Sequence, residues 1–355
     1  MSTYNKGEWS EFYAFLNTMS TGKLDVADDD LNLIPEAGYE VIKLYKTDAE
    51  NSGTDIEYDI SKIKEGYITV KDSVGEYLVK KEDITDGKTK LLSAIINGSG
   101  TFSVPELDEL IRGLKLKTIK SPSSSKGDLK IQIYDHRTGL SPQLEFSIKS
   151  LMGSQPTLLN ASEPTSVYYV PSKVITSEII ENIQKIDGRN KLMERAAYLE
   201  SNDVHLKFKS MNSTFSRNLQ MTDFRMPQIL SDLYYCSLFV RGKKIKDVVE
   251  FYVRKTGDDI ELIEHKIKEM LVSIALGMVP NQRWSGLDSA TGGYIIVKEN
   301  GTVICYHIYD RNRLKNYLYS HTAFDTPSTS RYKAGVFHNI SGENLFKLTI
   351  QIRFC

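Results

Sequence analysis

The chain has 355 residues, enough for one large domain or two medium ones with a real hydrophobic core. Hydrophobic residues make up 40% and charged residues 26%, the ordinary balance of a soluble globular protein. Lysines and arginines number 45 against 46 acids, so there is no global positive field and any phosphate-bearing partner must be held by local basic patches.

The N-terminal MSTYNKGEWSE reads as neither a secretory signal nor a transit peptide, and no apolar run reaches the length of a bilayer span. Cys236, Cys305 and Cys355 are far apart and odd in number, which suits reduced thiols and a cytoplasmic location. The six histidines show no metal-binding spacing, so zinc chemistry is not expected.

Residues Gly7 to Met19 predict an amphipathic helix, with Trp9, Phe12, Tyr13 and Leu16 on one face and Glu8 and Glu11 on another. TGKLDVADDDLN breaks that pattern. From Tyr39 to Ile84 the short alternating pieces YEVIKLY, GYITV and EYLVKK read as strands. SVPELDELIRGLKL reads as a short helix capped by Ser103, with Leu107, Leu110, Ile111 and Leu114 on its apolar stripe. SPSSSKGD is a connector, and a hairpin follows it. LMGSQPTLLNAS reads as loop, VYYV as a strand, and Ser177 to Leu199 as one or two helices interrupted at Gly188. MPQILSDLYYCSLFVRGKKIKDVVEFYVRK reads as helix with a break near Gly242. The clearest helix is Asp259 to Leu276, lined by Ile263, Ile267, Met270, Leu271 and Ile274 and stopped by Gly277 and Pro280. GGYIIVKENGTVICYHIY is the strongest hairpin, because Asn300-Gly301 suits a tight turn, and LFKLTIQIRF closes the chain as a strand. Helices and strands mix without strict alternation, which predicts an α+β or mixed α/β fold. Two parts are expected: residues 1–170 carrying most of the catalytic core, and residues 171–355 carrying recognition elements, with the option of one domain.

The hairpin KGDLKIQIYDHRTGLSPQLEFSIKS concentrates the chemistry. A turn within HRTGLSPQ sets Asp135 near Gln143 and brings Asp128 across from about Lys149. Glu145, Ser147 and Lys149 share one side of their strand, because side chains alternate. A carboxylate, a hydroxyl and a lysine then converge at one end of a sheet. A hard divalent cation takes such oxygen ligands, and the lysine can orient water or oppose charge on a phosphate. By themselves these residues equally describe an exposed ion pair on a hairpin. Asp135 competes for the role of first acid, but DHRTG is good turn chemistry and holds it away from Lys149.

The hairpin resembles the PD-(D/E)xK nuclease motif, with Asp128 in the first-acid position and Lys149 in the lysine position. Ser147 stands where that superfamily usually has Glu or Asp; some of its restriction enzymes carry an uncharged residue there, and Glu145 could substitute. Gly7 and Glu11 fit a Gly-x-x-x-Glu on the first helix, whose Glu reaches the metal in many of these nucleases; Glu8 is the alternative. KGEWSEFYAFL, LEFSIKSLMGSQPTLLNAS, GGYIIVKENGTVICYHIYDRN and TPSTSR together resemble the HpaII-type restriction endonucleases, in segments spread from Lys6 to Arg331. The resemblance implies a restriction-endonuclease-like core: a mixed sheet flanked by helices. It implies a Type II enzyme cutting double-stranded DNA at a short palindrome, CCGG in the type member, with Mg2+. Asp128, Glu145 and Glu11 are the candidate metal ligands, with Ser147 and Lys149 completing the catalytic set.

DNA contact is expected from several places. VRGKKIKDVVEFYVRK concentrates Arg241, Lys243 and Lys244 among further basic residues, a pattern that suits phosphates or a plain solvated face. Asn281, Gln282 and Arg283 in MVPNQRWSG are residue types that read base edges, arginine reading guanine. Arg311, Arg313 and Arg331 offer similar chemistry, and Asn160 lies beyond the hairpin within reach of a phosphate. A palindromic target suits a homodimer on the DNA, and a companion methyltransferase would protect the host. The rival readings are another PD-(D/E)xK nuclease, or a DNA-binding protein inactivated by Ser147. A small-molecule hydrolase is more remote, since no nucleophile elbow, P-loop or histidine metal cluster is present.

Overall fold

The computed structural model describes residues 2–47, 54–120, 127–136 and 138–355. Of the connector SPSSSKGD, residues 121–126 lie outside them. The chain divides into two compact units, Met1–Pro156 with Asp288–Leu314, and Thr157–Leu287 with Lys315–Cys355.

The first unit runs β1 (Tyr4–Asn5), α1 (Lys6–Thr21), β2 (Lys23–Ala27), β3 (Leu33–Thr47), β4 (Asp55–Asp59), β5 (Tyr67–Lys71), β6 (Glu76–Lys80), α2 (Lys81–Asn97), β7 (Thr101–Phe102), α3 (Asp108–Gly113), β8 (Leu129–Tyr134) and β9 (Gln143–Ser150). The second unit begins with β10 (Thr157–Leu159), β11 (Ser166–Pro171), α4 (Ser177–Lys185), α5 (Lys191–Ser201), β12 (Leu206–Met211), α6 (Ser213–Gln220), α7 (Met226–Ser237), α8 (Ile245–Thr256) and α9 (Ile260–Leu276). The chain then returns to the first unit for β13 (Gly293–Val297) and β14 (Val303–His307). It ends with α10 (Arg311–Ser320), β15 (Thr322–Phe324), α11 (Thr329–Tyr332), β16 (Val336–Ile340), β17 (Glu343–Thr349) and β18 (Ile352–Phe354).

Helix α1 forms where its apolar spacing predicts it. Trp9, Phe12, Tyr13 and Leu16 are all buried. Its entry is a capping box: Asn5 Oδ1 accepts from Glu8 N at 3.0 Å, and Glu8 Oε2 accepts from Asn5 N at 2.8 Å. Gly22 ends it in the left-handed region, at φ 71°.

A nine-stranded sheet is the frame of this unit, in the order β2-β14-β13-β9-β8-β3-β4-β5-β6. The β9–β13 and β14–β2 pairings are parallel and the rest antiparallel, which makes the sheet mixed as expected. Strand β2 also pairs with β3, so β2, β14, β13, β9, β8 and β3 close into a ring.

Two local expectations are corrected. The strand reading to Ile84 overruns: from Lys81 the chain is helical, because Ile84, Leu91 and Ile95 fall on one buried stripe. Gly87 on that stripe admits Leu110, since a Cβ there would lie 2.3 Å from Leu110 Cδ2. The helix expected from Ser103 breaks into a 3-10 turn, Pro105–Leu107, and the short α3, with Val104 preceding the turn.

The second unit holds a three-stranded sheet, β10-β18-β15, and a four-stranded one, β12-β11-β17-β16. The helix break at Gly188 and the one near Gly242 both occur as expected. The closing strand does not run through: LFKLTIQIRF splits into β17 and β18, which join different sheets.

Candidate active site

Asp128 stands one residue before β8 and is anchored to β9. Its backbone N donates to Phe146 O at 2.9 Å. Its Oδ2 accepts from Ile148 N at 2.6 Å and from Ser147 Oγ at 3.2 Å. The β8–β9 ladder pairs Leu129 with Phe146, Lys130 with Glu145 and Gln132 with Gln143. Continued by one step, that register sets Asp128 across from Ser147. The expected partner was Lys149. The turn is shorter than expected: Asp135 bridges Leu140, not Gln143, and is capped by Thr138, whose Oγ1 donates to its Oδ2 at 3.0 Å. Asp135 is buried in this turn, the role that DHRTG predicts.

Lys149 therefore lies one pleat beyond Ser147 on the same side of β9. It is half-buried, and its Nζ sits 5.8 Å from the centroid of the Tyr294 ring. Tyr294, on β13, is the parallel partner of Ser147. Glu145 pairs with Lys130 and leans on Gly127: a Cβ at Gly127 would lie 2.8 Å from Glu145 Cβ and 3.0 Å from its Oε2. Only glycine lets the chain entering Asp128 pass so close.

Glu11 is the electrostatic centre of the site. Burial pushes its carboxyl up to about 7, and the charge of Asp128 adds to the rise; Lys46 and Lys149 oppose it, and Glu8 raises it slightly further. Sequence alone left Glu8 and Glu11 as alternatives. Their surroundings differ: Glu8 is engaged in the capping box and its Oε1 meets Lys120 Nζ at 2.8 Å. Lys46 and Tyr294 were not foreseen. Lys46 is only 3% exposed. Tyr45 pairs with Lys130, so alternation puts Lys46 in the same phase as the buried Leu44. A lysine in the apolar phase of YEVIKLYKT was the legible signal.

Among the described residues, no group of three or more His, Cys, Asp or Glu is placed to hold a metal ion. Glu11 and Asp128 form a two-carboxylate set in which burial first, and the charge of Asp128 second, raise the Glu11 carboxyl to about 7. Such a set fits Mg2+, which takes one or two carboxylates and keeps several waters.

The expected DNA contacts divide between the units. In the first, Arg311 Nη1 meets Asp288 Oδ2 at 2.7 Å, and Arg313 lowers the carboxyl of Asp28 after the hydrogen bonds from the 30–32 turn. In the second, Asn160 is exposed just after β10, and Arg331 is exposed on α11. Arg241 and Lys244 are exposed between α7 and α8, whereas Lys243 Nζ reaches Thr326 Oγ1 at 2.5 Å. Asn281, Gln282 and Arg283 are exposed in the loop after α9.

The family model described as HpaII restriction endonuclease matches residues 5–354. The Type II restriction enzyme HpaII of Haemophilus parainfluenzae is 36% identical over 362 residues, which span 99% of this chain and 98% of that enzyme. No solved structure matches.

Proposed function

Because the chain belongs to the HpaII restriction endonuclease family, and is thereby a Type II site-specific deoxyribonuclease, we propose that it hydrolyses double-stranded DNA at the palindrome CCGG with Mg2+ held by Asp128 and Glu11. The observation that carries this reading is the meeting of charges at Glu11, whose carboxyl is raised by burial and then by Asp128 while Lys46 and Lys149 lower it. When bound, Mg2+ supplies positive charge against the phosphoryl oxygens.

The protein's own groups divide the remaining work. The Ile148 amide and the Ser147 hydroxyl fix the Asp128 carboxylate. Lys149, over the Tyr294 ring, orients the attacking water and opposes charge on the phosphoryl group. The water oxygen forms the new bond to phosphorus as the bond to the 3′ oxygen breaks; the water loses a proton to solvent and the leaving oxygen takes one from solvent, which leaves a 3′-hydroxyl and a 5′-phosphate. Glu145 lies on the same side of β9 as Ser147 and is the reserve for the missing acid. Two copies of the chain would cut the two strands of the palindrome as a homodimer, with a companion methyltransferase protecting host DNA in the cytoplasm. No helix among the described residues is long and apolar enough to cross a membrane.

The test is a digest of an unmethylated plasmid of known sequence, with and without Mg2+, by wild type and Lys149→Ala. Discrete fragments from wild type with Mg2+ alone, ending at CCGG, are the expected result. An intact plasmid throughout, from folded protein that still binds DNA, would favour the second reading: a DNA-binding protein silenced by Ser147 in the acid position.

A further inference from the structure

The loop that follows α9 is held from beneath by one buried amide. Asn218, on α6, is 0% exposed. Its Nδ2 donates to Val279 O at 3.0 Å and to Gln282 O at 2.7 Å, and its Oδ1 accepts from Trp284 N at 3.0 Å. Its neighbour Arg217 adds a bond from Nη1 to Trp284 O at 3.0 Å. Trp284 is itself only 9% exposed, and its Nε1 donates to Leu287 O at 2.9 Å. Between these anchors the side chains of Asn281, Gln282 and Arg283 all face solvent.

This arrangement asks for asparagine. Both donor hydrogens and the acceptor of one planar amide are matched to loop backbone. An aspartate lacks the donors and a leucine lacks everything, so either leaves buried carbonyls unpaired. The chain has fixed the backbone of an irregular segment while leaving its three most base-reading side chains outside. Reading base edges needs such fixation, because a bidentate contact fails when its backbone wanders, and ordering a loose loop on binding weakens the complex.

We propose that Asn218 is a specificity-determining positioning residue, which presets the Val279–Trp284 backbone so that Asn281, Gln282 and Arg283 meet the base edges of the DNA. The assignment rests on the reading of this chain as a sequence-specific DNA enzyme.

The test reads binding, without Mg2+, so that it does not depend on cleavage. Wild-type protein selects its motif from a randomised pool of duplexes. Wild type, Asn218→Ala, Arg217→Ala and Arg283→Ala are then titrated with the selected duplex, with single-base-pair changes of it, and with an unrelated duplex. Asn218→Ala is expected to lose about tenfold or more of the discrimination against single changes, the scale of one lost bidentate contact. Its affinity for the unrelated duplex, held by phosphate contacts, should stay. In an Arg283→Ala background the same substitution should cost less discrimination than it does alone, because the share that passes through Arg283 is already lost and only that of Asn281 and Gln282 remains. A folded Asn218→Ala with full discrimination, or with equal losses on every duplex, would overturn the proposal. If Asn218→Ala does not fold, Arg217→Ala, which removes one loop bond from a half-buried position, decides in the same way. Wild type that selects no motif ends the DNA reading and this proposal with it. A motif without any cleavage on adding Mg2+ ends only the cleavage reading and leaves Asn218 in its role.

Discussion

The Oδ2 of Asp128 lies 2.6 Å from the backbone nitrogen of Ile148, the residue between Ser147 and Lys149. One carboxylate thus ties the entry of β8 to the strand that carries the lysine. It can hold its geometry through that amide even if its charge is removed. Asp128→Asn keeps an acceptor for the Ile148 amide and loses the charge. The variant is expected to fold with an unchanged melting temperature, while cleavage falls on the order of 10²-fold or more. Melting curves beside a plasmid-cleavage time course would check both halves; a large fall in stability would mean that the charge, not the bond, secures the hairpin.

Glu11 gives a stability prediction with a definite sign. Its carboxyl rises from the ordinary 4.5 to about 7 in the fold. A raised pKa means that the folded state binds a proton more tightly than the unfolded state does. The associated stability is fully present below about 4.5 and is lost as the pH rises through about 7. Glu11→Gln removes the ionised, buried form. It is therefore expected to be more stable than wild type at pH 8, on the order of 2–3 kcal/mol, with little difference at pH 4.5, and to be inactive. Denaturant melts at the two pH values test this, and equal stability of the two proteins at pH 8 would contradict it.

Lys46 acts on the same carboxyl from the other direction. Lys46→Met fits the apolar phase of β3 but removes the positive charge. The acid limb of the cleavage profile should then move to higher pH, because Glu11 holds its proton longer. Single-turnover rates measured from pH 6 to 9 would show the shift; an unmoved limb would separate Lys46 from the site.

Glu8 and Glu11 lie three residues apart on one helix and should respond in opposite ways. Glu8→Ala loses the return half of the capping box and a surface ion pair with Lys120. It should cost about 1 kcal/mol of stability and leave the cleavage pattern intact. Loss of cleavage in a well-folded Glu8→Ala would return Glu8 to the list of metal ligands.

Gly127 is a sharp probe of the chain that enters Asp128. A methyl group there meets Glu145 Cβ at 2.8 Å, so backbone must shift. Gly127→Ala is expected to lower cleavage about tenfold or more through a displaced carboxylate. Pairing it with Glu145→Gly, which removes the obstructing Cβ as well as the carboxylate oxygen behind it, should restore part of the loss; no recovery would point to a different cause.

Much of the site could be read from sequence because its signals are local. The helix spacing at Trp9, Phe12, Tyr13 and Leu16 and the alternation around Ser147 need only a few neighbouring residues. The register of the hairpin did not come out right, since a turn inside HRTGLSPQ can close at several places and each shifts Asp128 along β9. Helix α2 escaped because its apolar stripe is thin, with Gly87 standing where a larger side chain would have marked it. The parallel partner of β9 also escaped: Tyr294 meets Ser147 across a gap of 147 positions, and no local pattern announces such a pairing. Asn218 left no trace at all, because its three loop partners are backbone atoms, which any residues would supply.

The parallel pairing of β9 with β13 also sets an order of events during synthesis. The strand bearing Lys149 leaves the ribosome long before its neighbour at Gly293–Val297 exists. At about 5–20 residues per second, the wait is on the order of 10 s. Through that interval β9 has only β8 beside it, and the Tyr294 ring that underlies Lys149 has not been made. A nascent or prematurely ended chain therefore lacks both the parallel partner of β9 and the ring against which Lys149 rests.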